Sequence, residues 1–189
     1  MFLERSYTIE ELIKRCKSGE HKAQELLYKT FAAKMMGVCL RYATDKMEAE
    51  DMLQNGFIRI FQKIEDYRGE GSFEGWVRRI MVHSSIEYYR KHHKMFQVVC
   101  LEDAGHEPIT DPLASDGLAA KDLMALIQQL PPGYKMVFNL FAIEGYSHKE
   151  IACLIGITEG ASKSQLSRAR AVLKQQIEKM EGKRYENAG

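Results

Sequence analysis

The stretch SHKEIACLIGITEGASKSQLSRAR, residues 147–170, decides the fold of the carboxyl-terminal half. Ser147 and Glu150 have the spacing of a capping box, which predicts a helix that begins after Ser147. Ala152 is small enough for two helices to cross closely, and Gly156 suits a turn that needs a positive φ. The stretch therefore predicts a helix-turn-helix, two short helices joined by a glycine turn.

The second helix of this motif carries side chains suited to DNA. They are Lys163, Ser164, Ser167, Arg168 and Arg170, presented from one end as in a helix that enters the major groove. An arginine can donate two hydrogen bonds to guanine, whereas serine and lysine suit phosphates. We therefore predict contact with duplex DNA. The alternative is a helical hairpin with a solvated charged face.

The residues before this motif also follow a helical pattern. Apolar residues between 123 and 130 recur at spacings of three and four, as on one face of a helix. The run Pro131-Pro132-Gly133 interrupts the pattern, and Pro132 is placed to start the next helix, through about residue 141. Gly145 is expected to end that helix. The carboxyl-terminal half is therefore predicted to hold four helices.

The amino-terminal half has the pattern of four further helices. Thr8 with Glu11, and Asp45 with Glu48, have capping-box spacing and predict the starts of the first and third helices. A long second helix falls between them. Ser72 is the predicted N-cap of the fourth, after a turn rich in glycine. No strand pattern competes with these helices, so we predict an all-α protein.

Residues 95–120 interrupt the helical patterns. Glycine, proline, serine and aspartate are dense there, and residues 97–120 include five acidic residues and no Lys or Arg. We predict a flexible acidic linker at 95–120 between a domain at 1–94 and a domain at 121–189. The alternative is an ordered loop packed on one domain. The sequence leaves open whether the domains pack together.

The net charge of +1 conceals a segregation of charge along the chain. From Arg78 to Lys94 there are five Lys or Arg residues against one Glu, and from Thr158 to Lys174 there are four against one. These two basic segments lie on either side of the acidic linker. Such an arrangement is expected of a protein that contacts a polyanion at two places.

The sequence gives little support to other classes of function. No apolar run reaches the about 18 residues of a membrane span, and no secretory signal is apparent, so we expect a cytoplasmic protein. The four cysteines lie far apart without a C-x-x-C pair, which predicts neither a disulfide framework nor a zinc site. No H-E-x-x-H, P-loop or nucleophile elbow occurs. We therefore expect no enzymatic activity, no cofactor and no metal.

Four stretches in collinear order carry a resemblance to a known family. They are AEDMLQNGF at 49–57, YRGEGSFEGWVRRI at 67–80, LPPGY at 130–134 and GYSHKEIA at 145–152. With a linker between the second and third, they resemble the sigma factors of the extracytoplasmic-function group. The resemblance implies two small helical domains: a region 2 helical bundle and a region 4 helix-turn-helix. It also implies a function in promoter-specific initiation of transcription.

The resemblance implies a polymerase-binding surface on the third predicted helix. The family docks on the polymerase clamp through a Glu-Asp-x-x-Gln run, which points here to Asp51, Gln54 and Asn55. The acidic residues nearby suit a basic partner, although the helix dipole alone also favours them at a helix start. The family usually has an acidic residue where Asn55 stands. Gly56 is expected to weaken this helix relative to alanine.

The resemblance assigns promoter melting and minus-ten recognition to the fourth helix and the turn before it. The turn from Tyr67 to Phe73 matches a loop that captures a flipped base, which stacks on aromatic faces. Phe73 and Trp76 also have the helical spacing of core residues. His83 stands where the family commonly has asparagine. The residues implied are Tyr67, Phe73, Arg78, Arg79, His83, Tyr88 and Lys91.

The second domain is implied to read the duplex minus-thirty-five element. The residues are Lys163, Ser164, Ser167 and Arg168. Ser162 stands where the family usually has an apolar residue, so we expect its hydroxyl to cap the helix or to be half exposed. The implied partners are core RNA polymerase, through its beta-prime clamp and beta flap, promoter DNA and an anti-sigma protein.

Two alternatives to this interpretation differ in class. A stand-alone helix-turn-helix regulator would bind a palindromic operator as a dimer, without polymerase. No heptad seam for such a dimer is apparent, and the Asp51–Gln54 run would be accidental. A helical enzyme is a more distant alternative, because none of the catalytic motifs named above is present.

Overall fold

A computed structural model describes residues 7–92 and 117–186, with side chains for 7–92 and 122–180. The helices in these ranges are α1 (Ile9–Lys17), α2 (His21–Tyr42), α3 (Lys46–Lys63), α4 (Phe73–His92), α5 (Gly117–Gln128), α6 (Pro132–Phe138), α7 (His148–Ile155) and α8 (Glu159–Glu186). The described ranges contain no strand, and the all-α prediction is confirmed. Among the helices they hold, none is both long enough and apolar enough to cross a membrane.

The helix starts in the amino-terminal half follow the predicted caps. The Thr8 hydroxyl accepts from the Glu11 N–H at 3.3 Å, and the Glu11 carboxylate accepts from the Thr8 N–H at 3.1 Å. Asp45 caps α3 by accepting from the Glu48 N–H at 2.9 Å. The Glu48 carboxylate, however, accepts from the N–H of Thr44 rather than that of Asp45. The first predicted capping box is therefore complete and the second is half formed.

Helices α2, α3 and α4 pack together, and α1 lies against α2. Apolar side chains from each of the three meet in the core, where Leu27, Met52, Ile60, Val77 and Met81 are at most 1% exposed. Burying a side chain of this size contributes about 1.5–3 kcal/mol, so these contacts hold the three helices together. This packing places the carboxyl end of α3 and the turn that follows it beside α4.

The carboxyl-terminal half contains the predicted helix-turn-helix. The Ser147–Glu150 capping box is formed, and Gly156 ends α7 in the left-handed conformation, at φ 72°. Ile151 and Ile155 are fully buried on the inner face of α7, where α8 packs on it. The two helices are thereby fixed in the predicted arrangement.

The helix that begins at Pro132 differs from the prediction at its carboxyl end. α6 stops at Phe138 and continues as a π-helical turn, Asn139–Ile143, before Gly145 at φ 79°. A π turn holds one more residue than an α turn and so shifts the side chains that follow it. This shift places Glu144 in a buried position, at 4% exposure.

The two halves pack against each other. Helix α2 contacts α5 and α6, and α4 contacts α7. The Lys135 ammonium donates to the Ala43 carbonyl at 2.6 Å, and the Asn139 amide donates to the Arg41 carbonyl at 2.6 Å. The last carbonyls of a helix have no partner within the helix, so two side chains of the second half cap the end of α2.

The predicted linker lies outside the described residues up to residue 116. Its last four residues, 117–120, are instead the first turn of α5. Their sequence is Gly-Leu-Ala-Ala, and leucine and alanine are among the best helix formers, so the helix extends beyond the predicted boundary at 121.

Three of the cysteines lie among the described residues. Cys16 and Cys39 are buried free thiols, whereas Cys153 of α7 is disulfide-bonded. The spacing of the cysteines did not predict this bond, because pairing depends on the distance between Cα atoms in the fold and not on separation along the chain.

Candidate nucleic-acid and polymerase interfaces

A groove of about 930 Å³ opens between the end of α3, the turn that follows it and α4. We call it the α3–α4 groove. Four of the side chains that line it carry a permanent positive charge, and two are aromatic. Its lining residues are Arg59, Lys63, Asp66, Tyr67, Arg68, Glu70, Trp76, Arg79, Ile80, His83 and Glu87. A volume of this size accommodates a small organic group such as a nucleotide base with its sugar.

A cluster of three aromatic rings lies beside the turn, and two of them form the wall of the groove. The ring centroids of Tyr67 and Trp76 lie 5.5 Å apart. Phe73 stacks on Trp76, with a centroid distance of 5.5 Å and an interplanar angle of 24°. Tyr67 and Trp76 are half-buried and line the groove, whereas Phe73 is 6% exposed. Phe73 is therefore a core residue that supports Trp76 from behind.

The turn that carries Tyr67 is held on both sides. Gly69 and Gly71 have positive φ angles of 81° and 75°, which glycine adopts without strain. The Tyr67 hydroxyl donates to the Gly71 carbonyl at 2.9 Å, and the Lys17 ammonium of α1 donates to the Tyr67 carbonyl at 2.8 Å. The aromatic wall is therefore fixed in place.

An ion pair spans the α3–α4 groove between Arg59 and Glu87. Their side chains are 37% and 54% exposed, so solvent reaches both. The hydrogen bond from Arg59 holds the pKa of Glu87 below its usual range, and the same bond raises the pKa of Arg59. An incoming phosphate would compete with Glu87 for this guanidinium, since both anions use the same donors.

The seven residues implied for promoter melting do not form one cluster. Tyr67, Arg79 and His83 line the α3–α4 groove together. Arg78 instead donates to Glu144 of the second half. Lys91 is exposed near the end of α4.

Tyr88 lies on another side of α4. Its ring stacks on His92 at 4.0 Å. Burial raises the pKa of Tyr88, and the negative charges of Glu48 and Asp51 near the start of α3 raise it further. Tyr88 is not among the residues that line the α3–α4 groove.

Three cations of the groove were missed by sequence reasoning. Arg59 and Lys63 stand four apart on α3, the spacing of one helical face, and Arg68 belongs to the turn. The spacing of Arg59 and Lys63 was visible in the sequence. Which partner their face meets depends on how α3 packs on α4, and that is not visible there.

The residues implied for polymerase binding share one exposed face of α3. Asp51, Gln54 and Asn55 are all exposed, and the Asn55 amide donates to the Asp51 carbonyl at 2.8 Å. Met47 and Ile58 extend the same face at both ends and are 72% and 54% exposed. We call these five residues the α3 face. The α3 face therefore combines polar side chains with two exposed apolar ones.

The residues implied for the minus-thirty-five element share one exposed face of α8. Lys163, Ser164, Ser167 and Arg168 are all exposed, as the helical spacing predicts. Lys163 forms an i,i+4 ion pair with Glu159 at 2.6 Å. Exposed pairs of this kind contribute little to stability, so the lysine remains available to another anion.

Ser162 differs from both expectations for it. It is fully buried, and its hydroxyl forms a 2.9 Å hydrogen bond with Nδ1 of His148, whose ring stacks on Phe141 at 4.6 Å. The α8 cap is supplied by Thr158, which accepts from the Ala161 N–H at 3.1 Å. The serine is tolerated at an apolar position because a histidine of α7 satisfies its hydroxyl.

Comparison with known proteins agrees with this architecture. The Sigma-70 region 2 family matches residues 27–95, and the Sigma-70 region 4 family matches residues 120–173. The chain is 30% identical over 181 residues to the ECF RNA polymerase sigma factor SigW of Bacillus subtilis, a match that covers 89% of this chain and 96% of SigW. It is 29% identical over 157 residues to SigE of Mycolicibacterium smegmatis, covering 81% of this chain and 61% of that protein. The solved structure of CnrH in complex with the cytosolic domain of CnrY covers 88% of this chain and is itself covered to 95%, at 20% identity and a TM-score of 0.45.

A region 2 bundle followed by a region 4 helix-turn-helix defines the sigma-70 class of transcription initiation factors. Within that class, the chain belongs to the extracytoplasmic-function group of RNA polymerase sigma factors.

Proposed function

We propose that this sigma factor binds core RNA polymerase through the α3 face and contacts its promoter at two separate places. The melted minus-ten strand enters the α3–α4 groove, and the duplex minus-thirty-five element receives α8. The observation that supports this most directly is the groove itself, where four cations and two accessible aromatic rings meet beside a fixed turn.

The groove has the chemistry that an unpaired DNA strand requires. A base that leaves the duplex loses its stacking, and an aromatic face returns about 1–3 kcal/mol per base. Tyr67 and Trp76 offer such faces. Arg59, Lys63 and Arg79 are positioned to neutralise the phosphates on either side of the base. Stacking tolerates any base, so we expect sequence preference to depend on polar groups such as His83.

The exposed face of α8 has the chemistry of duplex readout. Arg168 presents a guanidinium that can donate twice to one guanine, and Lys163, Ser164 and Ser167 suit phosphates or mixed contacts. Helix α7 fixes the angle of α8 through their buried contact and the hydrogen bond between His148 and Ser162. The proposed reading helix is therefore held rigidly by its own domain.

The α3 face suits a partner that is partly basic and partly apolar. Asp51 supplies a carboxylate, and Met47 and Ile58 supply exposed apolar surface. Methionine is among the residue types that are enriched at protein interfaces relative to the rest of the surface. We propose that the beta-prime clamp of polymerase covers this face, and that the beta flap contacts the second half.

Neither DNA contact is extensive enough to bind tightly alone. Two weak contacts on one chain gain affinity only when something holds them at the spacing of their targets, and polymerase would do so. Membership of the group extends the proposal to regulation by an anti-sigma protein and to action in the cytoplasm, without catalysis by the sigma factor itself.

The experiment that tests the proposal is transcription in vitro with purified core polymerase. The chain is expected to co-purify with core enzyme and to confer initiation from specific start sites in a genomic library of promoter fragments. A stand-alone regulator would instead bind a palindrome tightly without polymerase and would leave initiation by core unchanged. That result would overturn the proposal.

A further inference from the structure

We propose that Glu144 is an intramolecular competitor of promoter DNA. It holds Arg78 in a closed conformation of the sigma factor, in which this arginine cannot contact the minus-ten strand until the two halves separate. This inference rests on the proposed role of α4 in contacting that strand.

Glu144 and Arg78 form a two-pronged contact across the boundary between the halves. The Arg78 Nε donates to Oε2 of Glu144 at 3.3 Å, and its Nη2 donates to Oε1 at 3.0 Å. The Glu144 side chain is 5% exposed and that of Arg78 is 15% exposed. The pair is therefore largely withdrawn from water, unlike the exposed ion pair between Arg59 and Glu87.

Two groups at the end of α2 complete the surroundings of this carboxylate. The Arg41 Nη2 donates to Oε1 of Glu144 at 3.4 Å, and the Tyr42 hydroxyl donates to the same oxygen at 3.3 Å. Burial raises the pKa of Tyr42 well above its usual value, and Glu144 raises it further, so this phenol stays a donor. Glu144 of the second half thus accepts hydrogen bonds from side chains on two helices of the first half, α2 and α4.

Arg78 cannot bind Glu144 and a nucleic-acid phosphate at the same time. A guanidinium binds a phosphate through the same fork of N–H groups that it offers to a carboxylate. In the closed conformation Glu144 occupies the Nε and Nη2 donors, and α7 packs against α4 beside them. A DNA strand therefore cannot engage Arg78 until Glu144 leaves.

The interface that keeps the halves together is incompletely satisfied. Arg41 Nε and Asn139 Oδ1 are buried without a hydrogen-bond partner within the described part of the chain. Two guanidinium groups meet one carboxylate, which leaves an excess of buried positive charge. Burial also lowers the pKa of Lys135, because the ammonium is desolvated in this interface. Buried ion pairs gain little over their solvated states, so separation of the halves costs little in electrostatic terms.

The closed conformation leaves the proposed polymerase-binding residues accessible. Asp51, Gln54 and Asn55 are exposed on α3, away from Glu144, and the exposed face of α8 is also uncovered. Polymerase can therefore dock on the closed protein and then draw the halves apart. The order of events would be docking, opening and only then contact between Arg78 and the minus-ten strand.

The test is the full-length variant Glu144→Gln, which keeps the shape of the side chain and removes its charge. Small-angle scattering is expected to show a larger radius of gyration than in the wild type. Fluorescence anisotropy with labelled oligothymidylate of about 12 nucleotides, within the usual site size of single-strand binders, is expected to show at least fivefold tighter binding. The matched control is Glu178→Gln, an equal change of charge at a side chain that is 63% exposed on α8. It should alter neither quantity.

The double variant Glu144→Gln/Arg78→Ala separates opening from DNA contact. It is expected to be as expanded as Glu144→Gln but to lose the gain in DNA affinity. If Glu144→Gln stays compact and binds DNA no better than Glu178→Gln, the inference is wrong, and the proposed function stands as long as the wild type still directs initiation. If instead the wild type supports no initiation with core, the proposed function itself is wrong.

A second variant covers the case in which Glu144→Gln does not fold. Asn139→Leu is close in size and removes the amide that donates to the Arg41 carbonyl, which leaves that buried carbonyl without its donor. It opens the same interface without changing Glu144, so it should give the same expansion and the same gain in DNA affinity. A compact Asn139→Leu protein with wild-type affinity would overturn the inference independently.

Discussion

The Met81 side chain of α4 occupies the space beside Gly56 of α3 that a β-carbon would fill. Met81 is fully buried, so its thioether has nowhere to move without disturbing the core. We expect Gly56→Ala to lower the free energy of unfolding by about 1 kcal/mol, measured by urea denaturation. Overpacking costs about 1–3 kcal/mol, and better helix propensity offsets about 1 kcal/mol of that.

A matched control for this substitution lies on α2. Gly37 is also helical, is exposed, and an added β-carbon there would have no neighbour within 4 Å. Gly37→Ala is therefore expected to raise the free energy of unfolding by about 0.5–1 kcal/mol. Equal stabilisation by both substitutions would show that Met81 does not constrain Gly56.

The substitution Asp51→Arg tests the polymerase contact. It reverses the charge at the centre of the α3 face, so we expect at least a tenfold loss of affinity for core polymerase, measured by fluorescence titration. Binding of oligothymidylate should stay within twofold, since Asp51 lies outside the α3–α4 groove. Glu25→Arg is the control, because Glu25 is an exposed carboxylate on α2, outside the α3 face, and forms an i,i+4 ion pair with Lys29. Similar losses from both variants would contradict a specific role for the α3 face.

The substitution Arg168→Ala tests the reading helix. Loss of a base-contacting arginine costs about 1–3 kcal/mol, which corresponds to roughly 5- to 150-fold weaker use of promoters that depend on the minus-thirty-five element. Affinity for core polymerase should not change. Lys174→Ala, farther along α8 and on an exposed side chain, is expected to have less than a twofold effect. An equal loss of core binding and promoter use in Arg168→Ala would argue against the division of labour between the halves.

The buried thiols of the first half should be unreactive in the folded protein. Burial raises the pKa of Cys16 to about 11 and that of Cys39 to about 12, from 9.0. Since the thiolate is the reactive form, iodoacetamide at about pH 8 should label neither residue in the native chain but both in urea, as read by peptide mass spectrometry. Because the folded state holds these protons more tightly, stability should decline as the pH rises from about 9 towards 11 and 12. Rapid labelling of native Cys39 would contradict its burial.

Features set by neighbouring residues in the chain could be predicted from the sequence. The caps at Thr8 and Ser147, the break at Pro132 and the turn at Gly156 each depend on contacts within a few residues. The helix-turn-helix and the all-α class followed from them. The exposed faces of α3 and α8 also followed, because helical period alone decides which residues share a side.

Features that depend on distant contacts could not be predicted in this way. The π turn at Asn139–Ile143 has no local signal, yet it determines where Glu144 lies. Ser162 was expected to cap or to be half exposed, and a histidine fourteen positions earlier satisfies it instead. Arg78 and Arg79 are adjacent in sequence, but one meets the second half and the other lines the groove. Only the packing of the helices distinguishes them.

The carboxyl end of α2 is capped by side chains that belong to the other half of the molecule. When the two halves separate, the carbonyls of Arg41 and Ala43 lose the hydrogen bonds from Asn139 and Lys135 and must accept from water instead. The last turn of α2 is then less stable. The Ala43 amide, which donates to the Cys39 carbonyl, should then exchange its proton with solvent faster. The exchange rate of this one backbone N–H should therefore report, during transcription initiation, the fraction of molecules in which the two halves have separated.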